Sequence, residues 1–441
     1  MASIRAIGNQ PMRVLNRRIQ RSRQNTGELQ VKVIISSGLG KLHFHETVRA
    51  AALAGMDVEF IAGWIPTKSQ SHWVNALGRL LGEASLATRM QARVVEHPRV
   101  RMRSSASAEF GGRAITTLLK PIASNGTLSG VAFAVAGAGS RKWLRDADIF
   151  HVRSGAGQGG AIRAARNHGM RILTDHSIAH PAYVDEVLGS EHRRLGLPYE
   201  VWATDGLSTR ILRDCEDADR LLVNSDFVKH TFVEKGFPPE KIDVAYLGVK
   251  EQFFSIKRDY SIHGPIRLLF TGSFIVRKGV VSLLEAVRIL RRGGLDVRLR
   301  LVGNLANGAT FLRESDSEFF THTPFVPPEQ LSQALAEADL FVFPTLVEGS
   351  SRSAMEAAAA GLPVVTTESC GLPLSVERRE VVYVPLSDPE ALARAVSELA
   401  SDECRRSEMG RNAAARIQQD FTWPLYGTQL MRIYSSLLQK A

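Results

Sequence analysis

One stretch, residues 341–365 (FVFPTLVEGSSRSAMEAAAAGLPVV), constrains the fold more than any other part of the chain. It begins inside an apolar run, residues 340–343, that a proline ends, a pattern typical of a buried parallel strand. A loop follows, and then a segment of strong helix formers, residues 353–360, that Gly361 terminates. Residues 363–367 predict the next strand. This order predicts a parallel α/β sheet whose loop lies at the carboxyl edge, where ligands bind.

Two carboxylates bracket that loop. Glu348 precedes the predicted helix and Glu356 lies inside it, with serines and Arg352 between them. Each carboxylate has a structural alternative. Ser353 and Glu356 fit a Ser-x-x-Glu capping box, and acidic residues are favoured near a helix N-terminus. Glu348, beside Gly349, could equally be a solvated loop residue. The loop alone leaves these alternatives open.

A short repeat indicates that the same β-α construction occurs in both halves of the chain. The segments LRDADIFHVRS, CEDADRLLVNS and LAEADLFVFPT share Ala-Asp followed by an apolar strand. Asp146 with Asp148, and Asp217 with Asp219, resemble Asp-x-Asp metal motifs. The repeat explains them better: it predicts that Asp148, Asp219 and Asp339 close helix-to-strand turns.

The first regular segment of the chain predicts a β-α-β unit. Residues 31–36 (VKVIIS) are a β-branched run typical of a buried strand, and an amphipathic helix and a second strand follow. Between them, Gly38 and Gly40 permit a tight turn in which backbone amides approach an anionic or hydroxylated ligand. His43 and His45 lie at the turn, and we expect at least one of them to be structural.

A second polar cluster is predicted at the same sheet edge. Residues 151–181 read as strand, glycine-rich turn, helix and strand, and end in Asp175, His176 and His180. Histidines at a strand end can donate to a sugar or phosphate, although isolated histidines are commonly packed and satisfied.

The C-terminal half contains a candidate diphosphate site. After a polar, aperiodic stretch at residues 250–264, residues 266–271 predict a strand, and Gly272 begins a turn that contains Arg277 and Lys278. Backbone amides and two cations converge there in front of a helix. The turn lacks the Gly-Lys-Ser/Thr ending of a nucleotide-binding P-loop.

Composition is that of a globular protein, with 44% hydrophobic and 23% charged residues. The three cysteines neither cluster nor share metal-ligand spacing, so we expect no disulfide framework. The longest apolar stretch, residues 131–139, is far shorter than the roughly 20 residues of a membrane span. No secretory signal precedes it. We therefore expect a cytoplasmic protein.

The net charge of +10 belongs to the N-terminal half of the chain. Six arginines precede Glu28, and residues 1–28 show no helix or strand period, which predicts a flexible basic arm. Such an arm could dock on anionic lipid at the inner face of the membrane or on nucleic acid. It could equally be a solubilising tail. It has no interleaved aromatics, so nucleic acid is not an expected partner.

Taken together, these motifs resemble the glycosyltransferases of the GT-B fold, specifically the large retaining family 4. The resemblance rests on the turn from Gly272 to Gly279, on Glu348 and Glu356 with seven residues between them, and on AAAAGLPVV. VNSDFVKHTF and PPEKIDVAYLGV match more loosely. The resemblance covers roughly residues 31–436.

The resemblance implies a nucleoside-diphosphate sugar bound to the C-terminal domain. Arg277 and Lys278 would hold the diphosphate, so no metal is required. Glu356 would accept from the ribose hydroxyls, and Glu348 would lie against the hexose.

In the N-terminal domain the resemblance implies that Gly38 and Gly40 form a loop facing the donor, and that His176 contacts the sugar. Two departures from the family pattern stand out. The residues after Glu348 are more polar than usual, which leaves the donor open. The segment after Cys370 lacks a usual glycine.

The expected architecture is therefore α/β, with two Rossmann-like domains facing across a cleft. The expected bounds are an arm (1–28), an acceptor-side domain (29–250), a linker (251–264), a donor-binding domain (265–420) and a C-terminal helix (421–441) that packs back on the first domain. The expected function is transfer of a hexose to a glycan or lipid-linked acceptor. Alternatives are a nucleotide-sugar epimerase of the same fold and a catalytically silent scaffold that binds nucleic acid.

Overall fold

The protein consists of two parallel α/β units, seen in a computed structural model. The structure describes residues 31–38, 42–66, 70, 72–76, 90, 93–104, 112, 115–116, 125–324 and 326–439. The predicted arm, residues 1–28, and Gly40 lie outside these described residues. Within them, no helix has both the length and the apolar character that crossing a bilayer requires.

The N-terminal unit is a seven-stranded parallel sheet in the order β3-β2-β1-β4-β5-β6-β7. Its strands are β1 (Lys32–Ser36), β2 (Asp57–Ala62), β3 (Val100–Ser104), β4 (Ile149–Arg153), β5 (Arg171–His176), β6 (Arg220–Val223) and β7 (Ile242–Val244). Its helices are α1 (Phe44–Leu53), α2 (Asn125–Ser140), α3 (Ala161–Asn167), α4 (Pro181–Arg194), α5 (Gly206–Asp217) and α6 (Asp226–Glu234). The central strands are apolar and buried because helices cover both faces of the sheet.

The C-terminal unit is a six-stranded parallel sheet in the order β10-β9-β8-β11-β12-β13. Its strands are β8 (Ile266–Thr271), β9 (Val297–Val302), β10 (Phe320–Thr323), β11 (Leu340–Phe343), β12 (Val364–Thr366) and β13 (Val382–Tyr383). The remaining helices are α7 (Val280–Arg292), α8 (Pro328–Glu337), α9 (Arg352–Ala359), α10 (Pro389–Ser401), α11 (Glu403–Asp420) and α12 (Trp423–Gln439). The two sheets confirm the predicted α/β class.

The strand order determines where a ligand can bind. In each sheet the order reverses at one place, between β1 and β4 in the first and between β8 and β11 in the second. A crevice opens outside the carboxyl ends of the strands at such a switch point. The end of the loop after β1 therefore faces the loops after β8 and β11 across the gap between the units.

The repeated aspartates act as the turn residues that the sequence predicts. The Asp148 carboxylate accepts from the Lys32 backbone N–H at 2.9 Å, Asp219 from that of Ile172 at 2.7 Å, and Asp339 from that of Arg267 at 2.8 Å. Each aspartate lies just before or at the start of a strand and ties it to its neighbour in the sheet. The metal-motif alternative is thus unnecessary for all three.

The predicted capping box at Ser353 is wrong. The cap is Ser351, whose side chain accepts from the Ala354 backbone N–H, and the helix begins at Arg352. Ser351 can serve because its backbone is extended and its own N–H is bonded to the Cys370 carbonyl at 3.1 Å. Glu356 therefore lies in the middle of α9, where no capping role accounts for it.

The end of the chain returns to the N-terminal unit. Residues 422–423 run beside residues 248–249, and α12 then packs on α1. Gly427 permits the close approach, because a Cβ there would lie 2.4 Å from the Ala50 carbonyl oxygen. Tyr434 of α12 is fully buried. The last helix of the sequence is thus part of the first unit's core.

The two units also share an apolar cluster behind the crevice. Ala179, Val184 and Leu188 of the first unit pack with Leu346 and Val347 of the second. Since these last two residues directly precede Glu348, the loop after β11 is packed against the opposite unit.

Candidate active site

A cavity of about 430 Å³ lies between the two units at the switch points. Residues of both units line it, among them His43 from the first and Gly272, Lys278, Glu348 and Glu356 from the second. The loops after β1, β8 and β11 thus converge there, as the strand order requires.

The turn after β8 holds Lys278 in one position. Gly272 has a φ of +121°, and a Cβ on it would lie 2.7 Å from Lys278 Nζ. The ammonium also lies 5.1 Å from the centre of the Phe343 ring. Gly279, with a φ of +71°, ends the turn where a Cβ would lie 1.7 Å from the Pro344 carbonyl oxygen. Gly272 therefore leaves the space that the ammonium occupies, and Gly279 permits the close approach of the turn to Pro344.

Both cations of this turn meet the first carboxylate. Arg277 Nη1 lies 3.0 Å and Lys278 Nζ 3.8 Å from Glu348 Oε1. Arg277 also donates to the Val347 carbonyl oxygen at 2.6 Å. Burial lowers the pKa of Lys278, and the adjacent Glu348 carboxylate opposes that shift. Two cations thus contact this one carboxylate, and Lys278 is the one of the two that lines the cavity.

Glu348 is under-satisfied in this arrangement. Its Oε1 atom is buried and forms no hydrogen bond with any described residue, although it has ion-pair contacts with the two cations. Its backbone N–H is anchored on the Ser369 carbonyl at 3.0 Å. The loop position is thus fixed while the carboxylate retains capacity to accept.

Glu356 faces the same cavity from α9. Burial raises the pKa of its carboxyl, against the nearby charges of Arg352 and Lys250. The structure gives the carboxylate no hydrogen bond to any residue that it describes. Because the side chain is half-buried and lines the cavity, its carboxylate oxygens are available to accept from a polar ligand.

A smaller cavity of about 210 Å³ adjoins the first at Glu356. His45, Lys250, Arg352 and Trp423 are among the residues that line it, and Lys250 Nζ lies 2.8 Å from Glu46 Oε1. Arg352 lines both cavities. The sequence singled out this arginine only as a departure from the family pattern.

The structure does not bring Gly38, Arg277 or His176 to the wall of the larger cavity. Gly38 has a φ of +60°, and a Cβ on it would lie 2.7 Å from the Ala156 Cβ, so it serves packing beneath the turn. His176 is 3% exposed, its Nδ1 lies 2.8 Å from Ser154 Oγ, and burial lowers its pKa to about 4. Its contact with a sugar stays a prediction.

Two neighbours of His176, Ser177 and Asn224, line the cavity instead. His180 is the N-cap of α4 and accepts from the Ala182 backbone N–H, so it is a packed, satisfied histidine. Neither Ser177 nor Asn224 was identified from the sequence, because serine and asparagine after a strand are common turn residues.

Among the described residues, no group of three or more His, Cys, Asp or Glu side chains could hold a metal ion. The Lys, Arg, Asp and Glu side chains that line the larger cavity are Lys278, Arg352, Glu348 and Glu356.

Comparison with known families gives this arrangement a context. The family model "Glycosyltransferase Family 4" matches residues 41–253, and "Glycosyl transferases group 1" matches residues 265–402. The chain belongs to the family 4 (group 1) glycosyltransferases. The two matches meet at the predicted linker, so each unit of the structure corresponds to one of them.

One relative in this family is the amylovoran biosynthesis glycosyltransferase AmsK of Erwinia amylovora. It is 30% identical over 228 residues, which cover 49% of this chain and 56% of the relative. The chain spans between about half and two thirds of the length of the first relatives that it matches.

Solved structures show the GT-B fold over nearly the whole chain. Sucrose-phosphate synthase from Thermosynechococcus elongatus superposes with a TM-score of 0.68 at 17% identity, covering 93% of this chain and all of that one. Anabaena HepE in complex with UDP and glucose superposes with a TM-score of 0.56 at 14% identity, covering 92% and 100%. The two-domain architecture is therefore GT-B.

Sequence reasoning missed one further feature of this family member. His43, which lines the larger cavity, is bonded to Asp175, and Asp175 is bonded to His151. The first two residues are 132 positions apart, so no local pattern could have paired them.

Proposed function

We propose that the protein is a retaining glycosyltransferase that transfers a hexose from a nucleoside-diphosphate sugar to a glycan or lipid-linked acceptor. The observation that carries this proposal is the convergence of Arg277, Lys278, Glu348 and Glu356 beside one cavity between the two GT-B units.

The two cations suit the departure of a nucleoside diphosphate. When the bond to the anomeric carbon breaks, negative charge grows on the phosphate oxygens. A preorganised donor aimed at such charge contributes about 3–4 kcal/mol to transition-state stabilisation. Lys278 lines the cavity, and Arg277 contacts Glu348, which lines it as well, so little reorganisation is needed. Because the protein supplies both cations, we propose that transfer needs no metal ion.

The two carboxylates suit the two ends of such a donor. Glu356 has a half-buried carboxylate that forms no hydrogen bond with a described residue, and a ribose offers two adjacent hydroxyl donors. Glu348, next to the cations, would accept from hydroxyls of the transferred hexose. The complex of HepE with UDP and glucose supports a donor of this class for a protein of the same fold.

The N-terminal unit would bind the acceptor, since it forms the other wall of the cavity. The acceptor class is supported by the names of relatives in amylovoran, capsular polysaccharide and colanic acid biosynthesis.

The proposal is tested by calorimetric titration with uridine, guanosine and adenosine diphosphate sugars, followed by turnover of those that bind. Lys278→Ala should lower turnover by about 10²-fold or more, as expected for loss of one preorganised donor. Arg394→Ala, an exposed cation on α10, is the matched control and should behave as the wild type.

Two further measurements address the finer parts of the proposal. The anomeric configuration of the product, read by NMR, should equal that of the donor, and inversion would refute retention. Turnover should survive EDTA. Folded wild-type protein that binds none of the three nucleotide classes would refute the whole proposal.

A further inference from the structure

Among the described residues, two Lys or Arg side chains line the larger cavity, and they come from different elements. Lys278 belongs to the turn after β8, and Arg352 is the first residue of α9. Arg277 is directed elsewhere: its guanidinium lies 3.0 Å from Glu348 Oε1 and donates to the Val347 carbonyl oxygen at 2.6 Å. Arg352 is therefore the second cation that a ligand in this cavity would meet.

The Arg352 guanidinium is available to such a ligand. The side chain is exposed, and it forms no hydrogen bond or ion pair with any residue that the structure describes. Lys250, which lines the smaller cavity, differs in this respect because its Nζ lies 2.8 Å from Glu46 Oε1. An arginine presents five N–H donors in a planar fork, which matches the oxygens of a phosphoryl group.

Helix stability does not account for an arginine at this place. Arg352 directly follows the N-cap Ser351, and the N-terminus of a helix is the positive end of its dipole, which disfavours a cation. Burial raises the pKa of Glu356, one turn further on, and the charges of Arg352 and Lys250 oppose that rise. The side chains of Arg352 and Glu356, both of them described, nevertheless form no ion pair. Neither the helix nor this carboxylate thus holds the guanidinium.

The helix spaces Arg352 and Glu356 as a nucleotide requires. Residues four apart lie on one face of a helix, with Cβ atoms about 5–6 Å apart. If Glu356 accepts from the ribose hydroxyls, the 5′-phosphate lies beyond the ribose ring by one methylene group. The phosphates must then run toward Lys278, which lies 3.8 Å from Glu348 Oε1, and Glu348 precedes α9. Arg352, at the start of α9, is thus the cation that the first phosphoryl group reaches.

We propose that Arg352 is a donor-binding residue whose guanidinium holds the phosphoryl group next to the ribose, while Lys278 holds the phosphoryl group next to the hexose. The inference rests on the proposed nucleoside-diphosphate sugar donor. Two cations on the cavity wall then meet two phosphoryl groups, and Arg277 contributes through its contact with Glu348. The arginine that departs from the family pattern thereby gains a role in binding the donor.

Calorimetry with ligands of increasing length tests this assignment. The ligands are a nucleoside, its 5′-monophosphate and its 5′-diphosphate, in whichever of the uridine, guanosine and adenosine series the wild type binds. The nucleoside is measured by competition with its diphosphate. Arg352→Leu is compared with Lys278→Ala and with Arg394→Leu, which changes an exposed arginine of α10.

Arg352→Leu should weaken binding of the monophosphate and the diphosphate alike, by about 10–100-fold, the usual value of a hydrogen bond to a charged group. Affinity for the nucleoside should stay within twofold. Lys278→Ala should weaken the diphosphate but leave the monophosphate within twofold. Arg352→Lys should retain part of the affinity, because it keeps the charge without the planar fork.

The controls separate binding from folding. Arg394→Leu should match the wild type with all three ligands. The Tm of Arg352→Leu should equal or exceed that of the wild type, because the helix N-terminus loses an unfavourable cation. A lower Tm together with a loss for every ligand would show that Arg352 supports the fold, which would overturn the inference.

Three further results would overturn it. An equal loss for the nucleoside would mean that Arg352 acts through Glu356. A loss confined to the diphosphate would place Arg352 at the outer phosphoryl group, and unchanged affinity for all three ligands would mean that it contacts no phosphate. Failure of the proposed function differs from these results, because the wild type itself would then bind no nucleotide of any series.

Discussion

The substitution Gly272→Ala tests whether the backbone of the turn after β8 determines the position of the Lys278 ammonium. Alanine at a φ of +121° is strained, and its Cβ would lie 2.7 Å from Lys278 Nζ. The strain should cost about 1–3 kcal/mol. For a unit of this size that corresponds to a fall in Tm of roughly 3–10 °C.

The steric effect of the added Cβ on Lys278 should appear as a change in the affinity for a ligand. To restore an ordinary contact, the ammonium must move by roughly 1 Å. Moving a cation from about 3 to about 4 Å from a phosphate oxygen loses roughly 1.4 kcal/mol at an effective dielectric constant of about 20. Affinity for a nucleoside diphosphate, measured by calorimetry, should therefore fall about tenfold.

Two controls separate strain from displacement. Gly294→Ala places alanine at a φ of +89° with nothing within 4 Å, so it should cost stability without changing affinity. In a Lys278→Ala background, Gly272→Ala should still lower Tm but should no longer lower affinity. If Gly272→Ala lowers affinity equally in both backgrounds, or not at all, the glycine does not act through Lys278.

Two further predictions concern stability. The buried Asp214 accepts from Gly157 N–H and Gln158 Nε2, and burial raises its pKa to about 7. Because the folded pKa lies above the unfolded value, the free energy of unfolding should fall by about 2–4 kcal/mol as pH rises from about 4 to 7. Urea titrations of Asp214→Asn at several pH values should lack this decrease. Tyr434→Phe should lower the free energy of unfolding by about 1–3 kcal/mol because it leaves His151 Nδ1 buried and unpaired. A urea midpoint equal to that of the wild type would contradict the hydrogen bond between Tyr434 and His151.

The parts of the site that sequence predicts well are those encoded locally. Lys278 follows its strand by a few residues, and Glu348 and Glu356 are separated by one loop, so strand and helix patterns were enough to put them at one sheet edge. The aspartate turns were predictable because they recur with the same neighbours. The capping-box alternative at Ser353 is wrong because the helix begins one residue earlier, at Arg352, where Ser351 has the extended backbone and accepts from the Ala354 N–H.

The side of the cavity formed by the N-terminal unit was harder to predict because its contacts join residues that are far apart in the sequence. His43 and Asp175 are 132 positions apart, and Tyr434 reaches His151 only because α12 returns to the first sheet. Histidine at a helix start carries no local signal that distinguishes a packed ring from an oriented one. The place of His176 at a strand end predicts a ring that faces the cleft. The structure buries that ring beside Phe232, and its contact with a sugar stays a prediction.

The contacts between the units show why the position of the Glu348 carboxylate depends on both of them. Gly349 follows Glu348 directly, and a Cβ on it would lie 2.0 Å from the Ser177 carbonyl oxygen of the opposite unit. Its own carbonyl accepts from Ser225 Oγ, the residue that caps α6. On the other side of Glu348, Val347 is buried against α4. The loop is therefore held by first-unit contacts on both flanks. Since the side chain between them meets Arg277 and Lys278 from the second unit, separating the units would remove support from the carboxylate while leaving the cations in place. The position of Glu348 beside the two cations thus rests on the packing of the two units against each other as well as on bonds within the second unit, from its own N–H to the Ser369 carbonyl and from Arg277 to the Val347 carbonyl.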